Sequence, residues 1–431
     1  MIEFKFNDLK FILTEDRLRA VYLDNYYFDI KAEDMQRLGR WRLTEQSGLE
    51  IEKSSQRRFE AVINSGFLNL RNRINNRKTV YVHKNSGIPL LGSNYFGLID
   101  RNTNLIEVRP NTGCNLNCIY CSVNEGISSR AGRAGRANRA NNAAEQGTSG
   151  RVDYLVEKDY LVSELKKLVL SKRCDDVEVH IGPQGEPLLY KPLPELVRDI
   201  DAIPEVNRIS IDTNAVLLNK SLADALISAG MTQFNISVNA VDPVIARKMA
   251  GCGYSPQNAL EISRYIAEKG ARKGVKVLVA PLWLPGINDN EIEKLIVFAK
   301  DYGLLIGIQN YLEYKRGKRP AKAMPMETFY SRLNALEKRY SVKLILTSED
   351  FNIHKTEKQK KLFCKGELVD AVAVCPGILK GEILARAKGS LLHVRNCPDS
   401  FFLSKDPFQS EKQVKARVTR VKHNIFYSVY S

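Results

Sequence analysis

Three cysteines constrain this chain more than any other feature: Cys114, Cys118 and Cys121, within Arg-Pro-Asn-Thr-Gly-Cys-Asn-Leu-Asn-Cys-Ile-Tyr-Cys. Three thiolates at this spacing suit three irons of a [4Fe–4S] cube and leave the fourth iron without a protein ligand. A ferredoxin-type site needs a fourth cysteine nearby, and none follows before Cys174. A tetrahedral zinc site also needs a fourth ligand close at hand, and no histidine lies near in sequence. The loop therefore predicts an iron–sulfur site whose open iron binds something other than protein.

At 431 residues and 44% hydrophobic content, the chain is long enough for two to four domains with real cores. No apolar run of about twenty residues predicts a membrane span, and Met-Ile-Glu-Phe-Lys-Phe does not read as a signal peptide. A cytoplasmic location is expected, and an oxygen-sensitive cluster suits that reducing compartment. The other cysteines, Cys174, Cys252, Cys364, Cys375 and Cys397, are scattered and form no disulfide framework. The balance of 65 Lys and Arg against 49 Asp and Glu gives +16, with a pI near 9.3. Such a surplus predicts a polyanionic partner.

Residues 1–100 read as an accessory region, small α/β or mainly β, with short alternating runs such as Thr79-Val80-Tyr81-Val82 and no cysteine. Residues 95–109 read as a strand pair leading into the cysteine loop. From 101 to 350 strands alternate with helical stretches. Strands are predicted near 105–109, 177–181, 208–213, 234–238, 275–280 and 304–309. Helices are predicted near 159–171, 191–201, 219–229, 255–270, 289–302 and 325–340, the fifth capped by Asn288 or Asp289. This alternation argues for parallel strands joined by helical crossovers. Residues 127–152, with Arg130, Arg133, Arg136 and Arg139 among Ala, Gly and Asn, offer no apolar face. They predict a mobile basic insertion. A second basic loop, 313–322, carries Lys315, Arg316, Lys318 and Arg319 as candidate phosphate contacts. From 366 to 431 short strand-like runs predict a small β-barrel. Its last long strand, Val414 to Val421, alternates apolar and polar residues, with Lys415, Arg417, Thr419 and Lys422 near one face.

The cysteine loop, with Tyr120 before its last cysteine, resembles that of the radical S-adenosylmethionine (radical SAM) superfamily. Further landmarks follow in the family's order. Gly182-Pro183-Gln184-Gly185-Glu186-Pro187 resembles its Gly-Gly-Glu-Pro motif, with Gln184 in place of the first glycine. Ile211-Asp212-Thr213-Asn214-Ala215 resembles the strand ending in Thr-Asn-Gly, and Asn235-Ile236-Ser237-Val238-Asn239 the strand whose serine contacts the cofactor. Val277 to Asp289 resembles the late strand and loop that face the adenine. The resemblance implies an α/β fold, a partial (βα)6 barrel with its cofactor at the C-terminal strand ends. It implies Cys114, Cys118 and Cys121 as cluster ligands, and Tyr120, Gly185, Glu186, Asn214 and Ser237 as S-adenosylmethionine contacts. Reductive cleavage of that cofactor to a 5′-deoxyadenosyl radical is the implied chemistry, with an electron donor such as a ferredoxin or flavodoxin. No catalytic acid, base or radical-quenching residue is assigned.

The C-terminal region resembles a TRAM domain, an RNA-gripping barrel, through Lys380-Gly381-Glu382 and through Val414 to Phe426. From Lys380 onward ten Lys and Arg stand against four Asp and Glu. Lys415, Arg417, Arg420 and Lys422 are expected on phosphates, and His423, Phe426 and Tyr427 as stacking groups. Together these features predict a radical SAM transferase that modifies a base in RNA, most fittingly tRNA, with no membrane partner. The alternative is a peptide or cofactor-precursor enzyme of the maturase or molybdopterin-precursor type, which usually carries extra C-terminal cluster cysteines. A second cluster on Cys364 and Cys375, with Cys397 or Cys252, matches no compact motif. A non-enzymatic RNA-binding role fits poorly with the intact cysteines and Glu186.

Overall fold

The computed structural model describes residues 2–4, 8–14, 17–45, 47–52, 56–123, 151–314, 317–402 and 411–431. The predicted mobile insertion at 127–152 lies almost wholly outside the described residues, as do Lys315 and Arg316.

Among the described residues, six parallel strands form the centre: β1 (Leu105–Arg109), β2 (Val177–Ile181), β3 (Val206–Thr213), β4 (Gln233–Ile236), β5 (Lys276–Val279) and β6 (Leu305–Ile306). They stand in sequence order in one open sheet, and Gly97–Asp100 adds an antiparallel seventh strand beside β1. Pairing aligns Val108 with Ile181, Ile211 with Phe234 and Ile236 with Val279. This is the partial (βα)6 architecture the sequence predicts, and register follows from keeping these apolar residues on one face.

The crossovers are helices: α1 (Lys158–Ser171), α2 (Leu193–Asp201), α3 (Lys220–Ser228), α4 (Pro243–Ala250), α5 (Pro256–Gly270), α6 (Asp289–Asp301) and α7 (Met326–Tyr340). In α2, Leu193, Leu196, Val197 and Ile200 are buried, a single stripe at helical spacing that covers the sheet. The sequence reading gives no helix at 243–250. At 8 residues, α4 is too short for its periodicity to stand out. Its ends carry the signal instead: Asp242 accepts hydrogen bonds from the Val244 and Ile245 amides, and Gly251 stops it at φ 67°.

Asn288 stands at the N-cap position of α6, as expected, but its side chain makes no capping hydrogen bond. The Asn288 amide donates to the Asn239 and Leu282 carbonyls at 2.8 and 2.9 Å and accepts from the Leu284 amide at 2.7 Å. It stitches two loops together rather than closing the helix. Asp289, inside the first turn, accepts from the Trp283 indole at 3.0 Å.

The first hundred residues are mixed α/β. A three-stranded sheet joins Ile2–Phe4, Leu49–Ile51 and Trp41–Leu43. A four-stranded sheet joins Leu9–Thr14, Arg17–Tyr22, Tyr26–Ile30 and Arg71–Asn72. Thr79–Val82 pairs in parallel with Asp153–Val156, tying this region to the segment ahead of α1.

At the C-terminus, β7 (Leu368–Pro376), β8 (Ile383–Ala387), β9 (Ser390–Arg395), β10 (Gln413–Lys422) and β11 (Ile425–Tyr430) close into a barrel in the order β7-β8-β9-β11-β10. Its interior is built from alternating positions, among them Val369, Ile383, Leu392, Val394, Val414 and Val418. Phe426 belongs to that interior, 1% exposed and edge-on to Phe363 at 4.8 Å. It is therefore a core residue and not a stacking platform. Strict alternation along β10 holds as far as Val418. A register shift between Val418 and Arg420 then places Thr419 and Arg420 both outside, as a β-bulge does.

This barrel is clamped to the segment 87–96. The Leu391 amide donates to the Leu91 carbonyl at 2.8 Å, the Phe426 amide to the Gly92 carbonyl at 3.3 Å, and Arg386 to the Gly87 carbonyl at 3.0 Å. A Cβ on Gly92 would lie 2.3 Å from the Leu391 oxygen, so only glycine allows this approach. The Tyr95 hydroxyl donates at 2.7 Å to Glu382, whose side chain is fully buried beside His393. Tyr95→Phe leaves that carboxylate short of a donor. The expected cost is about 1–3 kcal/mol, read as a lower thermal unfolding midpoint than wild type. An unchanged midpoint would show that the junction does not depend on this bond.

Candidate active site

The cysteine loop follows β1 and is held from several sides. The Thr112 amide donates to the Tyr154 carbonyl at 3.2 Å, while the Tyr154 amide donates to the Thr112 hydroxyl at 2.9 Å. The Asn117 and Ile119 amides donate to the Ala250 and Met249 carbonyls at the end of α4, both at 3.0 Å. Beyond β2, the Glu186 amide donates to the Gly113 carbonyl at 2.8 Å, and the Asn111 amide group donates to the Glu186 carbonyl at 3.0 Å. Gly185 has φ +71°, and a Cβ there would lie 2.8 Å from the Gly113 oxygen. Its first use is thus to let the β2 turn lie against the cysteine loop itself.

Glu186 is 1% exposed. One carboxylate oxygen accepts from the Leu188 amide at 3.0 Å and the Thr213 hydroxyl at 2.7 Å; the other accepts from the Asn214 amide at 2.8 Å. Burial pushes this carboxyl up to about 7, against the pull of those three donors. The Asn214 side chain then donates to Asn115 of the cysteine loop at 2.8 Å. Ala215, where the family's strand carries glycine, adopts φ 57° and is buried. Asn239 is occupied structurally: it donates to the Tyr120 hydroxyl at 2.5 Å and accepts from the Leu282 amide at 2.7 Å.

These elements enclose one cavity of about 520 Å³ at the C-terminal ends of the strands. Its wall includes Cys114, Cys118 and Cys121, and with them Tyr120, Gly185, Glu186, Asn214 and Ser237. Every residue expected at the cluster and cofactor thus borders the same space, which is in the size range of small-molecule sites. The donor set fits an iron–sulfur cube. Three soft thiols stand around the cavity, the number of protein ligands that leaves one iron of a cube open. Burial raises the Cys114 and Cys118 thiols above their ordinary value, Cys118 to about 11. A positive metal centre is what such buried sulfurs require to ionise. Of the other thiols, Cys375 and Cys397 are buried and Cys364 is exposed, while Cys252 lies beside the cysteine loop, 4.0 Å from the Asn115 carbonyl.

The sequence reading misses a polar row inside the sheet. Glu107 and Arg109 on β1, Glu178 and His180 on β2, Ser210 and Asp212 on β3, and Asn235 on β4 alternate with apolar residues that face the helices. Parallel strands covered on both faces are expected to be continuously apolar, so this period-2 polarity was the available signal. His180 Nε2 lies 3.1 Å from Asp212, and its Nδ1 lies 2.8 Å from the Ser210 hydroxyl, which donates to Glu178 at 2.7 Å. Asn235 donates to the other Asp212 oxygen at 2.9 Å. Asp212 lines the cavity, so a hydrogen-bonded file of ionisable groups ends at its floor. Beside it, Arg109 donates to Gln184 at 2.7 Å and pairs with Glu107 at 2.7 Å.

Of the basic loop at 313–322, Arg319 is exposed. The Lys318 ammonium turns inward to the cysteine loop, bonding the Asn117 carbonyl at 2.9 Å, the Asn117 side-chain oxygen at 2.6 Å and the Cys118 carbonyl at 3.1 Å. It is therefore not a phosphate contact. On β10, Lys415, Arg417, Arg420 and Lys422 are all exposed, and His423 is half-buried in the following turn at φ 52°. Burial, with Arg101 and Lys422 nearby, lowers the His423 pKa and favours the neutral ring. Tyr427 is half-buried, 5.0 Å from the His393 ring with Arg395 over its face.

The open six-strand parallel sheet and the cysteine-walled cavity at its C-terminal edge define a radical SAM enzyme with a [4Fe–4S] cluster and S-adenosylmethionine as cofactors, and residues 108–299 match the Radical SAM superfamily. Those residues form a radical SAM domain. It is 36% identical over 383 residues, 83% of this chain and 82% of the other, to the uncharacterized protein MJ0103 of Methanocaldococcus jannaschii. It is also 29% identical over 259 residues, 58% of this chain and 68% of the other, to the GTP 3′,8-cyclase of Listeria welshimeri. Streptococcus suis SuiB bound to S-adenosylmethionine superposes with a TM-score of 0.39 at 15% identity, covering 79% of this chain and 71% of that one. No helix among the described residues is long and apolar enough to cross a membrane.

The His180–Asp212 pair gives a direct titration test. Burial lowers the imidazole pKa, but the Asp212 carboxylate outweighs it and the net shift is upward. The stabilisation from charged His180 is therefore complete below the ordinary histidine value and is lost as pH rises through the raised one. In Asp212→Asn, His180 should titrate at lower pH than in wild type, as read by NMR of ring-labelled histidine. An unmoved titration would show that the two groups are not coupled.

Proposed function

We propose that this enzyme modifies a base in RNA, with tRNA as the substrate that fits best. The observation that carries the reading is the row of cations on β10. Lys415, Arg417, Arg420 and Lys422 are exposed on a closed barrel, and among the described residues none of them pairs with a carboxylate within 4.0 Å. A cluster of uncompensated cations along one strand is what a phosphate backbone neutralises. His423, kept neutral, suits stacking on an unpaired base better than gripping phosphate. The barrel's likeness to a TRAM domain supports the same reading. So does its clamp on 87–96, because Asn94 in that segment accepts from Arg109, which bonds the cavity residue Gln184.

In this reading Cys114, Cys118 and Cys121 hold the cluster. Glu186 and Gly185 receive the methionine end of S-adenosylmethionine, and Tyr120, Asn214 and Ser237 border the rest of it. Bound there, the pair supplies a carbon radical able to take hydrogen from an unactivated C–H bond. An ammonium beside Glu186 would hold that buried carboxyl in its ionised form. Residues 1–100, 101–350 and 366–431 act as accessory region, catalytic core and substrate handle. An external one-electron donor of the ferredoxin or flavodoxin class serves the cluster.

A second reading rests on the 29% identity to a protein named GTP 3′,8-cyclase, whose name points to a small nucleotide as substrate. Mass spectrometry of digested tRNA from cells with and without this gene separates the two. A nucleoside missing only without the gene supports RNA modification and gives the added group by its mass; identical profiles favour the small-molecule reading. In vitro, Cys118→Ala should abolish 5′-deoxyadenosine formation and leave RNA affinity intact. The double substitution Lys415→Glu with Arg417→Glu should cut RNA affinity at least tenfold and flatten its salt dependence by roughly two phosphate contacts. Affinity equal to wild type in that variant would remove β10 from the interface.

A further inference from the structure

The loop that leaves β6 returns to the cysteine loop and binds it from behind. Lys318 is its point of contact. The ammonium donates to three oxygens of the cysteine loop at 2.6, 2.9 and 3.1 Å, and the Lys318 amide donates to the Cys121 carbonyl at 3.4 Å. The position of Lys318 is fixed from the other side, where the buried Tyr311 hydroxyl donates to its carbonyl at 3.1 Å. A Cβ on the neighbouring Gly317 would sit 3.1 Å from the Cys121 oxygen, so the two loops are in close backbone contact.

All three acceptors of the ammonium are neutral. Among the described residues no carboxylate lies within 4.0 Å of it, in contrast to Lys158 and Lys172, each paired with an aspartate. Lys318 thus presents an ammonium, unpaired with any described carboxylate, to the loop that carries Cys118 and Cys121. A lysine suits the geometry. Its ammonium has three donors around one nitrogen, whereas the planar arginine fork does not converge on three oxygens of one loop.

We propose that Lys318 is a positioning residue that also sets the redox poise of the site, an inference that rests on Cys114, Cys118 and Cys121 being the cluster ligands. A cube with three thiolates is anionic, and one-electron reduction adds a further negative charge. A fixed cation nearby stabilises the reduced state more than the oxidised one. Lys318 therefore raises the reduction potential and brings it nearer the reach of a flavodoxin- or ferredoxin-class donor, which loses the electron the cluster gains. The same three bonds hold the cysteine loop in the shape that surrounds the cavity.

The test is an EPR-monitored redox titration of the full-length reconstituted protein, with iron content measured on the same samples. Lys318→Met keeps the apolar stem and removes the charge. It should retain wild-type iron and shift the midpoint to more negative potential, while Lys318→Arg, which keeps the charge but not all three bonds, shifts it less. A Lys318→Met midpoint equal to wild type at equal iron content overturns the proposal. Should Lys318→Met fail to load iron, Lys318→Gln, which keeps an uncharged donor, is read in its place: a lowered midpoint supports the proposal, and an unshifted one overturns it. Cys118→Ala tests the underlying assignment separately, because wild-type iron content in that variant rejects the ligand set whatever Lys318 does.

Discussion

The site depends first on one buried carboxylate. Glu186 gathers the turn after β2, the end of β3 and the cysteine loop through its amide, its carbonyl and both carboxylate oxygens. Each of these segments ends a strand, and strand ends otherwise diverge as the sheet twists. A group with so many acceptor positions can satisfy several backbone amides at once, which no apolar residue can do. The cost is desolvation, visible in the upward pull on its own ionisation. The carboxylate is therefore a structural centre before any cofactor reaches it.

Around that centre the sheet divides its two faces. Apolar residues of β1 to β4 pack on the helices, and polar residues of the same strands fill the inner face up to the cavity floor. A partial barrel with a charged interior can stay folded only if each charge has a partner, and the pairs Glu107–Arg109 and Asp212–His180 meet that demand. Asp212 contributes to the floor, Glu186 to one wall, and the cysteine loop closes the opposite side under the hold of Lys318 and α4.

Much of this was legible in the sequence because it is local. The spacing of Cys114, Cys118 and Cys121, the order of the strands and the alternation along β10 are each written in adjacent residues. What escaped was set by distant partners. Lys318 sits in a basic run and reads as a surface cation, yet its bonds go to Asn117 and Cys118 about two hundred positions earlier. Phe426 reads as a stacking ring in a basic tail, but barrel closure turns it toward Phe363. Asn288 reads as a cap, and tertiary contacts with Asn239 and Leu282 claim its side chain. The polar row ending at Asp212 was present as a period of two inside strands, masked by the apolar residues between.

The clamp between the terminal barrel and the segment 87–96 joins residues 299 positions apart, as between Ser390 and Leu91. During synthesis, the segment 87–96 emerges from the ribosome long before β8, β9 and β11 exist to cover it. Contacts this far apart in sequence form late and slow the final step of folding. The segment 87–96 must wait, uncovered, through the making of the whole parallel sheet. Truncating the chain before β8 would make that wait permanent, so a chain cut there would leave unpaired backbone groups exposed and carry an aggregation hazard.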